Sequence, residues 1–147
     1  MTNPIRRSIL TALACTAALA FATPSMAAMV NMKADLKAAN EVPPNDSKGT
    51  GMVEVTYDTA SKKLSWKGSY SGLTGPATAA HFHGPAGPGK NAGIAVPIFA
   101  GPTAKSPFEG SATLTDAQAQ QLLAGEWYVN IHTAAHKPGE IRGQVTK

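Results

Sequence analysis

From Val30 onward, apolar and polar side chains alternate along the chain. Val53, Val55 and Tyr57 point one way from an extended segment; Trp127, Val129 and Ile131 share one side of another, with Tyr128, Asn130 and His132 on the opposite side. A period of two is the signature of a half-buried β-strand, because successive side chains leave a strand on opposite faces. Strands are predicted over Val30–Lys37, Gly51–Tyr57, Lys63–Tyr70, Ala77–His83, Ile94–Phe99, Phe108–Leu114, Trp127–Thr133 and Glu140–Thr146. Turn chemistry separates them, as in Pro43-Pro44-Asn45-Asp46, Asp58-Thr59-Ala60-Ser61, the glycine- and proline-rich Gly84–Gly89 and Lys137-Pro138-Gly139. One helix is predicted to begin at Thr115, whose hydroxyl can cap it while Gln118 reaches back to the cap amide. Leu122 and Leu123 give that helix an apolar face, and Gly125 ends it. Short strands at nearly regular spacing with one short helix predict an all-β fold, two antiparallel sheets packed face to face as a β-sandwich, with a barrel as the alternative.

The first 27 residues break this pattern. Arg6 and Arg7 precede an Ala/Leu-rich apolar stretch from Ser8 to Ala22, and Ser25-Met26-Ala27 places small residues at the cleavage-determining positions. This order reads as an export signal cut after Ala27, leaving one domain over residues 28–147. A membrane-spanning helix needs about 20 apolar residues; this stretch is shorter and is interrupted by Thr11 and Thr16. The Arg6-Arg7-Ser8-Ile9-Leu10 run resembles a twin-arginine signal, which would carry an already folded protein across the membrane, and ordinary secretion is the other route. A lipoprotein reading of Cys15 is disfavoured by the short apolar stretch before it. The expected location is periplasmic or secreted, with no stable membrane insertion after signal removal.

Loss of the signal changes the charge. The whole chain carries a formal +4, whereas residues 28–147 hold 11 basic and 9 acidic residues, a net +2. No nucleic-acid footprint is implied. The single cysteine leaves with the signal, so neither disulfides nor thiolate ligands enter the chemistry of the mature domain. Packing alone must hold its core, and a chain of about 120 residues buries roughly two-thirds of its unfolded surface.

The four histidines fall in two close pairs, His81/His83 and His132/His136. On a strand, positions two apart lie on one face, about 6.6 Å apart along the backbone, so His81 and His83 project together while Phe82 turns away. Two imidazoles at that spacing can converge on one ion, given metal–nitrogen bonds of about 2.0 Å. His132 and His136 add ligands if their strand neighbours the first. The competing reading makes them surface or core histidines bonded to backbone. Imidazoles without thiolates suit copper, zinc or nickel; the affinity order of first-row metals favours copper, with zinc as runner-up. Arg142 is a candidate for presenting fixed positive charge to a small anion. Glu140 is a candidate for orienting an imidazole.

Taken together, these segments resemble the CHRD (chordin) domain. Asn40-Glu41-Val42-Pro43-Pro44, Gly72-Leu73-Thr74-Gly75, Ala79-Ala80-His81-Phe82-His83-Gly84-Pro85-Ala86, Gly125 with Tyr128-Val129-Asn130-Ile131-His132-Thr133, and Pro138-Gly139-Glu140-Ile141-Arg142-Gly143-Gln144 match its pattern in order. Such domains occur in an animal regulator of growth-factor signalling and in small exported bacterial proteins. A second, local resemblance joins Ala80-His81-Phe82-His83-Gly84 to the copper strand of Cu,Zn superoxide dismutases. That resemblance implies an antiparallel Greek-key, immunoglobulin-like sandwich, further copper ligands at His132 and His136, and an anion-guiding role for Arg142. The loop from Gly84 to Gly93 has no histidine or aspartate, so the zinc site of that family is missing and the equivalent would be copper-only.

Three functions follow as expectations: a copper enzyme acting on superoxide, a copper carrier or store with the same histidines, and a protein-binding module with structural histidines. In the first, the metal cycles between oxidation states, and Lys90, Lys137 and Arg142 are the candidates for drawing in the anion. Homo-oligomerisation is not legible in the sequence.

Overall fold

The computed structural model describes residues 27–101 and 104–147; the expected export signal lies outside the described residues except for Ala27. Its strands are β1 (Met29–Lys37), β2 (Thr50–Asp58), β3 (Lys63–Ser71), β4 (Ala77–His83), β5 (Ile94–Ala100), β6 (Phe108–Thr113), β7 (Tyr128–Thr133) and β8 (Ile141–Gln144). A 3-10 turn (Ala38–Asn40) follows β1, and helix α1 (Asp116–Leu123) lies between β6 and β7. No described helix is long and apolar enough to cross a membrane.

All strand pairings are antiparallel, and the eight strands form one continuous sheet in the order β5-β4-β7-β8-β1-β2-β3-β6. The join between its halves is slight. β1 and β8 share the ladder pair Lys37–Arg142, and Lys33 bridges Thr146 beyond the end of β8. Strands β4 and β3 are far apart in the sheet order, yet Phe82 of β4 meets Trp66 of β3 edge to face, with ring centroids 5.3 Å apart. The sheet is therefore folded over on itself as a sandwich that is nearly a closed barrel. Its outer strands also approach, since Phe99 of β5 and Phe108 of β6 lie 5.1 Å apart.

The alternation read from the sequence decides which side chains fill the space between the layers. Ala34, Leu36, Val53, Val55, Leu64, Ala80, Phe82, Val129, Ile131 and Ile141 are at most 1 % exposed. Apolar area removed from water contributes about 25 cal/mol per Å², which makes these positions the main source of stability. Helix α1 closes one end, burying Ala119 and Leu122. Thr115 and Gln118 form the expected reciprocal cap, with bonds of 3.2 and 3.0 Å. Gly125 follows with a φ of +76°, a conformation that only glycine adopts at little cost.

Strand β8 is shorter than the pattern predicted. The Glu140 amide donates to Ile131 O, and the Glu140 side chain turns into a separate polar cluster. Because the core-facing residues of β4, β7 and β8 point inward, the intervening ones form a second, outward surface. Cross-strand partners there are His81 with Asn130, His83 with Tyr128, and Asn130 with Arg142. The chain after β1 and the Gly84–Gly93 loop both bond to this surface, Asn40 to Arg142 O and His83 to Ala92 O.

Candidate metal centre

His81 and His83 leave β4 on the same face, as a period of two requires, while Phe82 between them is fully buried in the core. The ladder between β4 and β5 shifts register on either side of His81–Phe82, the kind of irregularity that re-aims side chains. His132 stands opposite Ala79 on β7, diagonal to His81. One ring nitrogen from each of His81, His83 and His132 can be chosen so that all lie within 4.8 Å of one another.

Hydrogen bonding fixes the tautomers. A carbonyl only accepts, so His83 Nδ1, 3.0 Å from Ala92 O, carries a proton, and so does His132 Nδ1, 2.8 Å from Lys137 O. Each ring then turns an Nε2 lone pair to the site. His132 Nε2 lies 3.1 Å from His81 Nδ1. His83 Nε2 is buried with no hydrogen-bond partner, although buried polar atoms are nearly always paired. A metal ion fits this donor set, since it would take up the unpartnered His83 nitrogen and the His132 Nε2 lone pair, with His81 completing the group, while the Nδ1 atoms of His83 and His132 stay anchored on backbone oxygen.

The electrostatics favour the neutral form of His81 and His83. Burial pushes His81 down from 6.5 to about 4, helped by repulsion from His132 and His83. Burial also lowers His83, against the hydrogen bond to Ala92. Neutral imidazole is the form that binds a metal.

The structure unites three of the four histidines. His136 is not among the clustered ligands: its amide donates to Thr133 Oγ1, and its carbonyl accepts from Gly139 N in the turn after β7. Glu140 also stands apart. It is fully buried, and its carboxylate accepts from Ser47, Thr74 and Thr133 rather than from an imidazole. Burial raises its pKa, but those hydrogen bonds outweigh it and hold the group below the usual carboxylate value. Arg142 is only 2 % exposed. Its guanidinium donates to Asn91 Oδ1 and Lys90 O and lies 3.4 Å above the Tyr128 ring centroid.

The sequence pattern of the CHRD domain matches residues 32–145. The chain belongs to the CHRD domain family. The match runs from within β1 to just past β8, so the CHRD region includes His81, His83 and His132. No curated protein and no solved structure matches the chain.

Residues around the β7 face carry no ligand signature in the sequence. Tyr128 stacks on His83 with centroids 4.9 Å apart and an interplanar angle of 4°. Asn130, 3 % exposed, donates to Pro138 O, and its Oδ1 is buried without a hydrogen-bond partner. Glu41 is 5 % exposed; burial raises its carboxyl to about 7 despite the attraction of Arg142. Tyr128 and Asn130 share the His132 face of β7, so the alternation marked them as neighbours of the site. The carbonyls of Ala92 and Lys137 have no side-chain signature at all.

Proposed function

We propose that this CHRD protein is exported and holds one copper ion through His81, His83 and His132, and that the metal acts on superoxide. The observation that carries this reading is the convergence of three imidazoles whose outward nitrogens face one point while Ala92 O and Lys137 O hold two of them from behind. An all-nitrogen set without thiolate or carboxylate suits copper, which stands above zinc in the affinity order. Three protein ligands leave a coordination position open, the arrangement of reactive rather than purely structural sites. Copper bound there would supply one-electron exchange with superoxide. The chain itself supplies neutral ligands and, at the exposed Lys90 and Lys137, positive charge on the loop and turn that carry the two orienting carbonyls. Export rests on the basic, then apolar, then small-residue order of residues 1–27.

The burial of Arg142 favours a second reading, a copper carrier or store, which needs the same three rings and no exposed guanidinium. Superoxide consumption separates the two. Under the enzyme reading, copper-loaded protein outpaces the same concentration of free copper, and His132→Ala abolishes the excess. Stoichiometric copper binding without that excess would leave the carrier. Zinc bound in preference to copper from an equimolar mixture would contradict both.

A further inference from the structure

We propose that Arg142 is a positioning residue: it clamps the Gly84–Gly93 loop so that Ala92 O holds His83 in the tautomer that turns Nε2 toward the metal. The inference rests on the metal reading for its purpose but not for its geometry. An anion-guiding arginine must reach solvent, and Arg142 is 2 % exposed, with NH1 and NH2 each donating to the loop. Its fork closes on consecutive loop residues, NH1 on Asn91 Oδ1 at 2.9 Å and NH2 on Lys90 O. Asn91 in turn donates from Nδ2 to Val42 O at 3.0 Å, tying the loop to the chain after β1. The next residue is Ala92, whose carbonyl accepts from His83 Nδ1.

A second route from Arg142 ends on the same ring. The guanidinium covers one face of Tyr128, and His83 stacks on that phenol in parallel. Tyr128 OH accepts from Ala92 N at 3.1 Å, so the phenol also holds the peptide that orients His83. Arg142 thus fixes both the acceptor on which His83 is anchored and the surface against which its ring lies. A planar fork with several donors can hold two acceptors and a ring face at once, which an ammonium cannot.

The test uses Arg142→Met, Arg142→Lys and Asn91→Ala in the whole mature protein, with folding checked by circular dichroism. Nitrogen NMR of the metal-free protein reads the His83 tautomer, and titration with Cu(II) alone reads affinity. Wild type should show His83 protonated at Nδ1. Arg142→Met and Arg142→Lys should both lose that single tautomer and bind Cu(II) about 10- to 100-fold more weakly, the usual cost of removing a group that orients a ligand. Asn91→Ala, which leaves the Tyr128 stack intact, should move both readouts the same way by less. An Arg142→Lys protein matching wild type would overturn the proposal, because charge alone would then suffice. If neither arginine variant folds, an unchanged His83 signal in Asn91→Ala overturns it. Wild-type protein that binds no Cu(II) sinks the metal reading, while a tautomer change in the variants still supports the clamp.

Discussion

His81 Nδ1 lies 3.1 Å from His132 Nε2, across neighbouring antiparallel strands. Because His132 Nδ1 is bound to Lys137 O, its Nε2 can only accept, so in the metal-free protein the proton between the rings belongs to His81 Nδ1. Coordination through His81 Nδ1 would require that proton to move to Nε2. On the proposed reading, the contact holds the two rings at ligand spacing in advance of an ion.

Proton competition follows from the same geometry. With His81 pushed down to about 4, protons do not compete for its ring until the solution is strongly acidic, whereas an unperturbed histidine would do so below about 6.5. Cu(II) occupancy measured by equilibrium dialysis should show no loss attributable to His81 between about pH 6.5 and pH 5 and should fall steeply on approach to pH 4. Release centred near pH 6.5 in the wild type would contradict the assigned environment.

Glu41 imposes a pH dependence of opposite sign on stability. Its carboxyl rises from 4.5 to about 7 because burial disfavours the charged form. The unfolded chain ionises first as pH rises, so the stability associated with the neutral acid is full below about 4.5 and is lost as pH climbs to 7. Between about pH 5 and pH 8 the wild type should lose on the order of 2 kcal/mol relative to Glu41→Gln. Denaturant unfolding of both proteins at each pH checks this, since shared histidine effects cancel in the difference. Parallel profiles would show that Glu41 is not held neutral.

The folded-over sheet depends on Phe82, which is fully buried between Trp66 at 5.3 Å and Trp127 at 5.9 Å. Phe82→Ala should cost about 3 to 5 kcal/mol, through lost burial and the cavity left behind. Since His81 and His83 flank it on β4, copper affinity should fall as well. A stable variant with unchanged affinity would mean that the core does not set the ligand strand.

Much of this was legible in the sequence because strand periodicity is local. The same alternation that put Val129 and Ile131 in the core put Tyr128, Asn130 and His132 on the other face, and His81-x-His83 announced a half-site by spacing alone. Pairing is not local. Whether β7 lies beside β4, and so whether His132 reaches His81, depends on sheet order, which periodicity leaves open. His136 illustrates the limit: four residues past His132 it has the spacing of a further ligand, and the fold places it in the turn after β7, outside the group formed by the other three histidines. Arg142 and Glu140 were singled out by charge, and the fold buries both, each among partners drawn from distant segments.

The most direct test of the proposed metal centre is a Cu(II) titration of the protein followed by electron paramagnetic resonance, with His81→Ala, His83→Ala, His132→Ala and His136→Ala compared. The account predicts one tightly bound ion with three nitrogen ligands, lost or changed in the first three variants and unaltered in the fourth. A spectrum indifferent to His81, His83 and His132, or no stoichiometric binding at all, would contradict it.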